Sequence, residues 1–382
     1  MRKKEVFIVS DNIISPLGST TADNFSMLQQ GISGIIEHSE PAMSDHSFFA
    51  SLLDTEKEEG TLTPAFTRFE QLLIASIEDA LENTAIELSD SRTILIISST
   101  KGNISLLETN ELTDELAQRI ALHTSAKYLR DYFQCANQPI VVSNACITGS
   151  LAILLGKRLI NSGQYDHAVV AGADTISKFI LSGFQSFQAI SSAACKPFDK
   201  NRSGINLGDG AGTIILSKNA ELSSGISISG GSTSNDANHI SGPSRTGEEL
   251  CQAIRNSIED AGLVADQVSF ISAHGTATLY NDEMEAQAIH LAGLQEIPVN
   301  SLKGYYGHTL GAAGIIESII SAHSLAKNLV IGSKGFETSG VSRPLNISSE
   351  LREQPLVHCL KTASGFGGCN AAIILSKQSF NQ

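Results

Sequence analysis

The chain has 382 residues and 41% hydrophobic content, enough for one large domain or two to three ordinary ones with a sizeable core, which excludes disordered, collagen-like and mini-protein classes. Its 26 Lys and Arg against 40 Asp and Glu give a net charge of −14, which opposes sequence-independent binding to nucleic acid or an anionic membrane surface. No apolar run approaches the roughly 18 residues that span a bilayer, and six cysteines without a C-x-x-C pair or zinc-like Cys/His spacing fit a reducing cytoplasm.

The start, Met1-Arg-Lys-Lys, has the charge of a signal-peptide leader, but Glu5 follows at once and Asp11 ends the apolar stretch, so Val6–Ser10 is expected as a first strand. Residues 36–63 are polar, acidic and weakly periodic, the pattern of a surface insertion or cap. Phe69–Glu82 carries apolar residues at three-to-four spacing and predicts a helix, followed by a buried strand at Ile94–Ser98. Residues 101–125 again read as surface. Then come a strand at Ile140–Ser143, a helix at Gly149–Ser162, and strands at Ala168–Ala171 and Thr213–Leu216. The Ser/Gly-rich Ser223–Ser234 reads as a join between two halves, although Ile226 and Ile228 alternate as in a strand. A helix at Glu248–Ala261, strands at Ser269–Ala273 and Val299–Ser301, a helix at Ala312–Lys327 and a strand at Ala371–Leu375 complete the pattern. This alternation predicts an α/β protein with both sheet faces covered, and no solenoid repeat is present.

Gly208-Asp-Gly-Ala-Gly212 lacks the spacing of a dinucleotide fingerprint and reads as tight turns and close backbone approach; phosphate-loop, metalloprotease and serine-hydrolase motifs are absent. Cys146 differs from the other thiols because it follows a predicted strand and precedes a predicted helix. A helix N-terminus favours thiolate and can hold an oxyanion, although local sequence alone leaves a core thiol open. His274 and His308 each follow a predicted strand, and strand ends of α/β sheets converge on ligand sites. Gly365-Phe-Gly-Gly368 precedes the last strand and reads either as a turn or as a loop whose amides face a ligand.

Taken together, these segments resemble the elongating β-ketoacyl-acyl-carrier-protein synthases of the thiolase superfamily, the Cys-His-His type. The resemblance is carried by Asn144-Ala-Cys146, Lys196-Pro-Phe-Asp199, Gly208-Asp-Gly-Ala-Gly212, His274-Gly-Thr-Ala-Thr278, Lys303, Gly307-His308, Gly311-Ala-Ala-Gly314, Glu317 and Gly365-Phe-Gly-Gly-Cys-Asn370, in that order. The chain departs from the family pattern at Ser364, where Phe is usual, at Leu279, where Pro is usual, at Asp209, where Glu is common, and at Ser203, where Asp is common. None of these removes a reacting group; they bear on acyl-pocket shape and gating.

The resemblance implies a thiolase-like fold: two similar halves, each with a mixed five-stranded sheet, layered with helices as αβαβα. The halves are expected at residues 1–222, carrying Cys146, and 223–382, carrying both histidines. The implied activity is an acyltransferase reaction, the decarboxylative Claisen condensation of acyl-Cys146 with malonyl-acyl-carrier protein in fatty acid, polyene or polyketide synthesis. Catalytic roles are implied for Cys146, His274, His308, Lys303 and Glu317, an oxyanion and gate role for Phe366 with Gly365, and contacts to the phosphopantetheine arm for Thr276 and Thr278. Asp282 and Glu285 are expected either to brace the His274 loop or to be solvated helix-start carboxylates. No resident cofactor or metal is implied, because the carrier protein delivers its own arm. The expected setting is a cytoplasmic homodimer, or a heterodimer with a paralogous subunit, that meets an acidic acyl carrier protein through Lys127, Arg130, Lys200 and Arg202. The alternatives are a catalytic subunit that depends on a cysteine-less partner, a malonyl decarboxylase, or a non-catalytic chain-length subunit.

Overall fold

Ten strands form one continuous mixed sheet in the computed structural model, which describes residues 5–54, 66–82, 84–237, 242 and 244–378. The basic start and residues 55–63 of the expected insertion lie outside the described residues. In chain order the strands are β1 (Val6–Ile14), β2 (Thr93–Ser98), β3 (Ile140–Val142), β4 (His167–Asp174), β5 (Gly210–Ser217), β6 (Ile226–Asn235), β7 (Phe270–Ser272), β8 (Val299–Asn300), β9 (His358–Gly365) and β10 (Cys369–Lys377). Their order across the sheet is β8-β7-β9-β10-β6-β1-β5-β4-β2-β3.

That order is two five-stranded blocks with one pattern. In β3-β2-β4-β5-β1 the first two junctions are parallel and the next two antiparallel. The block β8-β7-β9-β10-β6 repeats this sequence of directions. The blocks join where β1 runs antiparallel to β6, with Val6 opposite Ile228 and Phe7 opposite Ser227.

The longer helices among the described residues include α1 (Arg68–Glu82), α2 (Leu122–Tyr132), α3 (Thr148–Asn161), α4 (Lys178–Ser186), α5 (Glu248–Ala261), α6 (Leu279–Leu291) and α7 (Ala313–Lys327). The α3 helix packs on β2, β3 and β4 of one block and on β6 and β10 of the other, and α7 likewise touches strands of both blocks, so these two form the central layer. The outer faces are covered by α1 on one block and by α5, with α6 beside it, on the other. Periodicity follows position. The enclosed α7 is buried without a break from Ala313 to Ala322, whereas the outer α5 buries one stripe that includes Leu250, Ile254 and Ile258. Glu248 and Glu249 complement the α5 N-terminus and Gly262, at φ 73°, closes its end.

Three expectations are corrected. Ser223–Ser234 is not a linker, because β6 runs through it and pairs with β10 along its whole length. The segment Phe48–Ser51 is not an exposed insertion: it pairs with Ile36–His38 and with Leu207–Gly208, and Phe48, Ala50 and Ser51 are buried. The strand β9 went unpredicted because Lys361, Thr362 and Ser364 interrupt its apolar residues, yet all three are buried.

Candidate active site

Cys146 sits at the corner between β3 and α3. Ala145 holds φ 44°, a left-handed conformation that a residue with a Cβ adopts under strain. Thr148 staples the corner: its hydroxyl donates to the Ala145 carbonyl at 2.6 Å and accepts from the Asn144 N–H at 2.7 Å. The strain and the staple together turn the Cys146 side chain out of the sheet at the entrance to α3. Cys146 as a residue keeps partial exposure to the cleft, but the atoms crowded around its sulfur push the thiol up to about 12; Cys369 adds to this, while Lys303, the Phe366 N–H and Lys101 oppose it. Burial therefore favours the thiol over the thiolate at Cys146.

His274 and His308 come from β7 and β8 across the block boundary. One ring nitrogen of each and the Cys146 sulfur lie within 4.8 Å of one another, and the rings meet edge to face with centroids 5.3 Å apart. The loop after β7 is braced by Glu285, which accepts from the His274 and Gly275 N–H groups at 2.8 Å each and from the Thr362 hydroxyl at 2.6 Å. Asp282 accepts from the Phe198 and Ala277 N–H groups at 2.7 and 3.2 Å. Both carboxylates are fully buried, so the reading of them as solvated helix-start groups is set aside. The His308 backbone is tied to Asn206 and Gly208, and its Nδ1 accepts from the Leu310 N–H at 3.3 Å. The proton of neutral His308 is therefore on Nε2, which is buried without a hydrogen-bond partner, as is Nδ1 of His274.

Behind the histidines, Lys303 contacts one oxygen of Glu317 and Lys361 the other, the latter an ion pair at 2.7 Å that lacks hydrogen-bond geometry. Burial would lift the Glu317 carboxyl, but the two ammonium groups prevail and hold it below its ordinary value. Two cations on one anion leave a net positive charge beside the imidazoles. Burial first, and then Lys303 and Lys361, push both histidines well below the ordinary range, so both are neutral. Sequence reasoning missed Lys361. Its only local signal was a charge inside the apolar run Cys359-Leu-Lys-Thr-Ala, which reads as an interruption until the partners are in place.

Two cavities meet at Cys146. A narrow one of about 80 Å³ is lined by His274, His308, Thr276, Thr278, Ser364 and Phe366. A wider apolar one of about 510 Å³ is lined by Ile180, Phe184, Phe187, Leu310 and again Phe366. The Thr276 and Thr278 hydroxyls lie 2.8 Å apart, and Thr278 caps α6. Leu279 is therefore the first residue of that helix, a position that also suits proline. Phe366 packs against Phe184 and Phe187 with centroids 6.0 and 5.6 Å away. A Cβ on Gly365 would meet the Cys369 sulfur at 2.9 Å and the Cys146 nitrogen at 3.0 Å, so glycine there lets the Phe366 loop lie against the Cys146 backbone. Of the cations expected to receive a carrier protein, Lys127 and Lys200 are exposed and Arg130 contacts Asp131 and Gln138. Arg202 is buried and donates to the Asp199, Gly340, Thr278 and Leu279 carbonyls, which makes it part of the framework rather than a docking residue.

The family models described as the N-terminal and C-terminal domains of beta-ketoacyl synthase match residues 3–222 and 226–337. The chain belongs to the beta-ketoacyl synthase family. As a β-ketoacyl synthase it is an acyltransferase, and it aligns with curated relatives over nearly all of its length. It is 28% identical to 3-oxoacyl-[acyl-carrier-protein] synthase 2 of Vibrio cholerae, over 99% of this chain and 100% of the relative. To the protein of that name from Coxiella burnetii it is 26% identical, over 99% of each. Its thiolase-like fold is shared with a β-ketoacyl synthase from Burkholderia phymatum, with TM-score 0.86, 23% identity and coverage of 98% and 100%. A ketosynthase of Xenorhabdus doucetiae, solved with its chain length factor, has TM-score 0.84 at 24% identity, with 98% of each chain covered.

Proposed function

We propose that Cys146, His274 and His308 carry out the decarboxylative Claisen condensation of an acyl thioester with a malonyl thioester, both delivered on an acyl carrier protein. The Cys146 sulfur attacks the acyl thioester carbonyl, the thiol proton passes to the departing carrier thiol, and the acyl group stays on the enzyme. The Cys146 and Phe366 N–H groups face the tetrahedral oxyanion, and one such donor contributes about 3 kcal/mol. The malonyl thioester then places its carbonyl oxygen against the two imidazoles. Loss of carbon dioxide leaves an enolate whose carbon attacks acyl-Cys146, releasing the β-ketoacyl product and a thiolate that takes up one proton.

The observation that carries this reading is the pair of neutral, buried imidazoles, each with one ring nitrogen within 4.8 Å of the Cys146 sulfur, and the unpartnered Nε2 donor of His308. An unpaired buried donor is costly unless a ligand oxygen completes it, and the enolate oxygen does so. Lys303, Glu317 and Lys361 act as positioning residues: they supply the field that keeps the imidazoles neutral. The narrow cavity, with Thr276 and Thr278, suits the phosphopantetheine arm, the wide one suits the acyl chain, and Phe366 stands between them as gate. No resident cofactor or metal is required. The partner is an acyl carrier protein, and the working unit is a homodimer or a pair with a paralogous subunit in the cytoplasm. The ketosynthase of Xenorhabdus doucetiae, solved with its chain length factor, supports the paired form.

The test is intact-protein mass after incubation with acyl carrier proteins. Wild type gains one acyl mass, which a malonyl carrier protein discharges into a β-keto product; Cys146→Ala gains none. An equal adduct on Cys146→Ala would assign the nucleophile elsewhere.

A further inference from the structure

The wall of the wide cavity beside Cys146 carries a single charged residue. Among its aromatic and aliphatic wall residues stands Lys101, and no ion pair to its ammonium occurs among the described residues. Its backbone is fixed. The Lys101 N–H donates to Asp174 at 3.1 Å, and the same buried carboxylate receives the Ser99 and Thr100 hydroxyls and the Thr100 and Gly311 N–H groups. The Lys101 stem therefore leaves the wall from a rigid turn. Its charge is also felt at the neighbouring thiol, where it acts against the effect of burial.

Where the Lys101 ammonium reaches this cavity, an alkyl chain that fills it strips water from a charge with no ion-pair partner among the described residues, which opposes binding. An acyl chain with an oxygen acceptor replaces the lost water by a charge-assisted hydrogen bond. We propose that Lys101 is a specificity-determining residue that selects acyl groups bearing a hydrogen-bond-accepting oxygen, such as β-keto or ω-carboxy acyl groups, over plain alkyl groups of the same length. This rests on the reading of Cys146 as the acylated residue.

The experiment measures Cys146 acylation rates by intact mass, using octanoyl, 3-oxooctanoyl and ω-carboxyoctanoyl thioesters of N-acetylcysteamine with wild type, Lys101→Met and Lys101→Arg. The ratio of oxygenated to alkyl acylation falls about tenfold in Lys101→Met, the size expected for one charge-assisted bond, and is restored in Lys101→Arg. A larger change for the ω-carboxy thioester than for the 3-oxo one identifies an anion as the recognised oxygen, and the reverse identifies a carbonyl. An unchanged ratio overturns the inference. So does an equal slowing of all three thioesters accompanied by slower iodoacetamide alkylation, because Lys101 would then act on the thiol alone. Failure of every thioester to acylate wild type while carrier-bound acyl groups do so also overturns it, since the cavity would not select the acyl chain by itself. Failure with both thioesters and carriers would instead remove the reading of Cys146 on which the inference rests.

Discussion

At the residue scale the chemistry depends on charges that water does not reach. His274 and His308 stay neutral in the folded chain because of burial and the nearby ammonium groups, but in the unfolded chain they titrate near 6.5. Below that pH the unfolded state takes up two protons that the folded state refuses. Their contribution to stability is therefore intact above about pH 7 and declines as pH falls through 6.5, by up to about 2.7 kcal/mol per pH unit for the pair. Urea unfolding at pH 7.5 and 5.5 should show a smaller acid loss for His274→Asn/His308→Asn than for wild type; equal losses would place the titration elsewhere, for instance at His167 or His358, which burial also depresses. Lys361→Met removes one cation from the field, so the imidazole proton affinities rise and the acid limb of the kcat/KM profile moves to higher pH. Glu285→Ala leaves the His274 and Gly275 N–H groups without their acceptor, and a loss of about 2–4 kcal/mol is expected in denaturant midpoints together with slower condensation. Cys146, His274 and His308 stood out in sequence through the order and spacing of the motifs around them, each after a predicted strand, while local sequence alone left a core thiol open at Cys146. Lys361 and Asp174 did not, since a charge within or at the end of a buried strand gains meaning only from partners far along the chain.

Elements place these residues. The first turn of α3 and the start of α7 touch backbone to backbone: a Cβ on Gly314 would lie 2.4 Å from the Ser150 nitrogen and 2.6 Å from its hydroxyl, and one on Gly149 would lie 2.8 Å from the Ile315 nitrogen. Gly314→Ala is expected to cost about 1–3 kcal/mol in urea unfolding, because neither helix can give way inside the central layer. It should also slow Cys146 acylation, since the displaced turn carries the proposed nucleophile. Unchanged acylation in a destabilised variant would show that the corner at Ala145 holds its geometry without α7. Helix α5 was readable to the residue because one face meets water and the other a sheet. Helix α6 was not, because it buries Asp282 and Glu285 and exposes Leu279 and Tyr280, which inverts the apolar period.

At the scale of the whole molecule, we propose that the chain is two similar halves dividing at residues 222 and 223, a reading supported by the matching strand directions of the two blocks. Fragments 1–222 and 223–382 should then associate when co-expressed, recovering helical and sheet content by circular dichroism and eluting together. Each alone should aggregate, because the inner faces that pack on α3 and α7 would be uncovered. Independent, soluble folding of either fragment would show that the central layer is not shared. The sequence by itself determined the α/β class, most of the strands of each block, the residue types for thioester chemistry and the family resemblance, because periodicity and motif spacing are local properties. Only the tertiary structure decided which buried charges neutralise one another, that Arg202 belongs to the framework, that β6 and β9 are strands, and that Lys101 lines the cavity beside Cys146. The reason is physical: a buried polar group is tolerated only with a partner, and here the partners come from segments that the chain brings together after folding, from β4 to the turn after β2 and from α6 and α7 to β9.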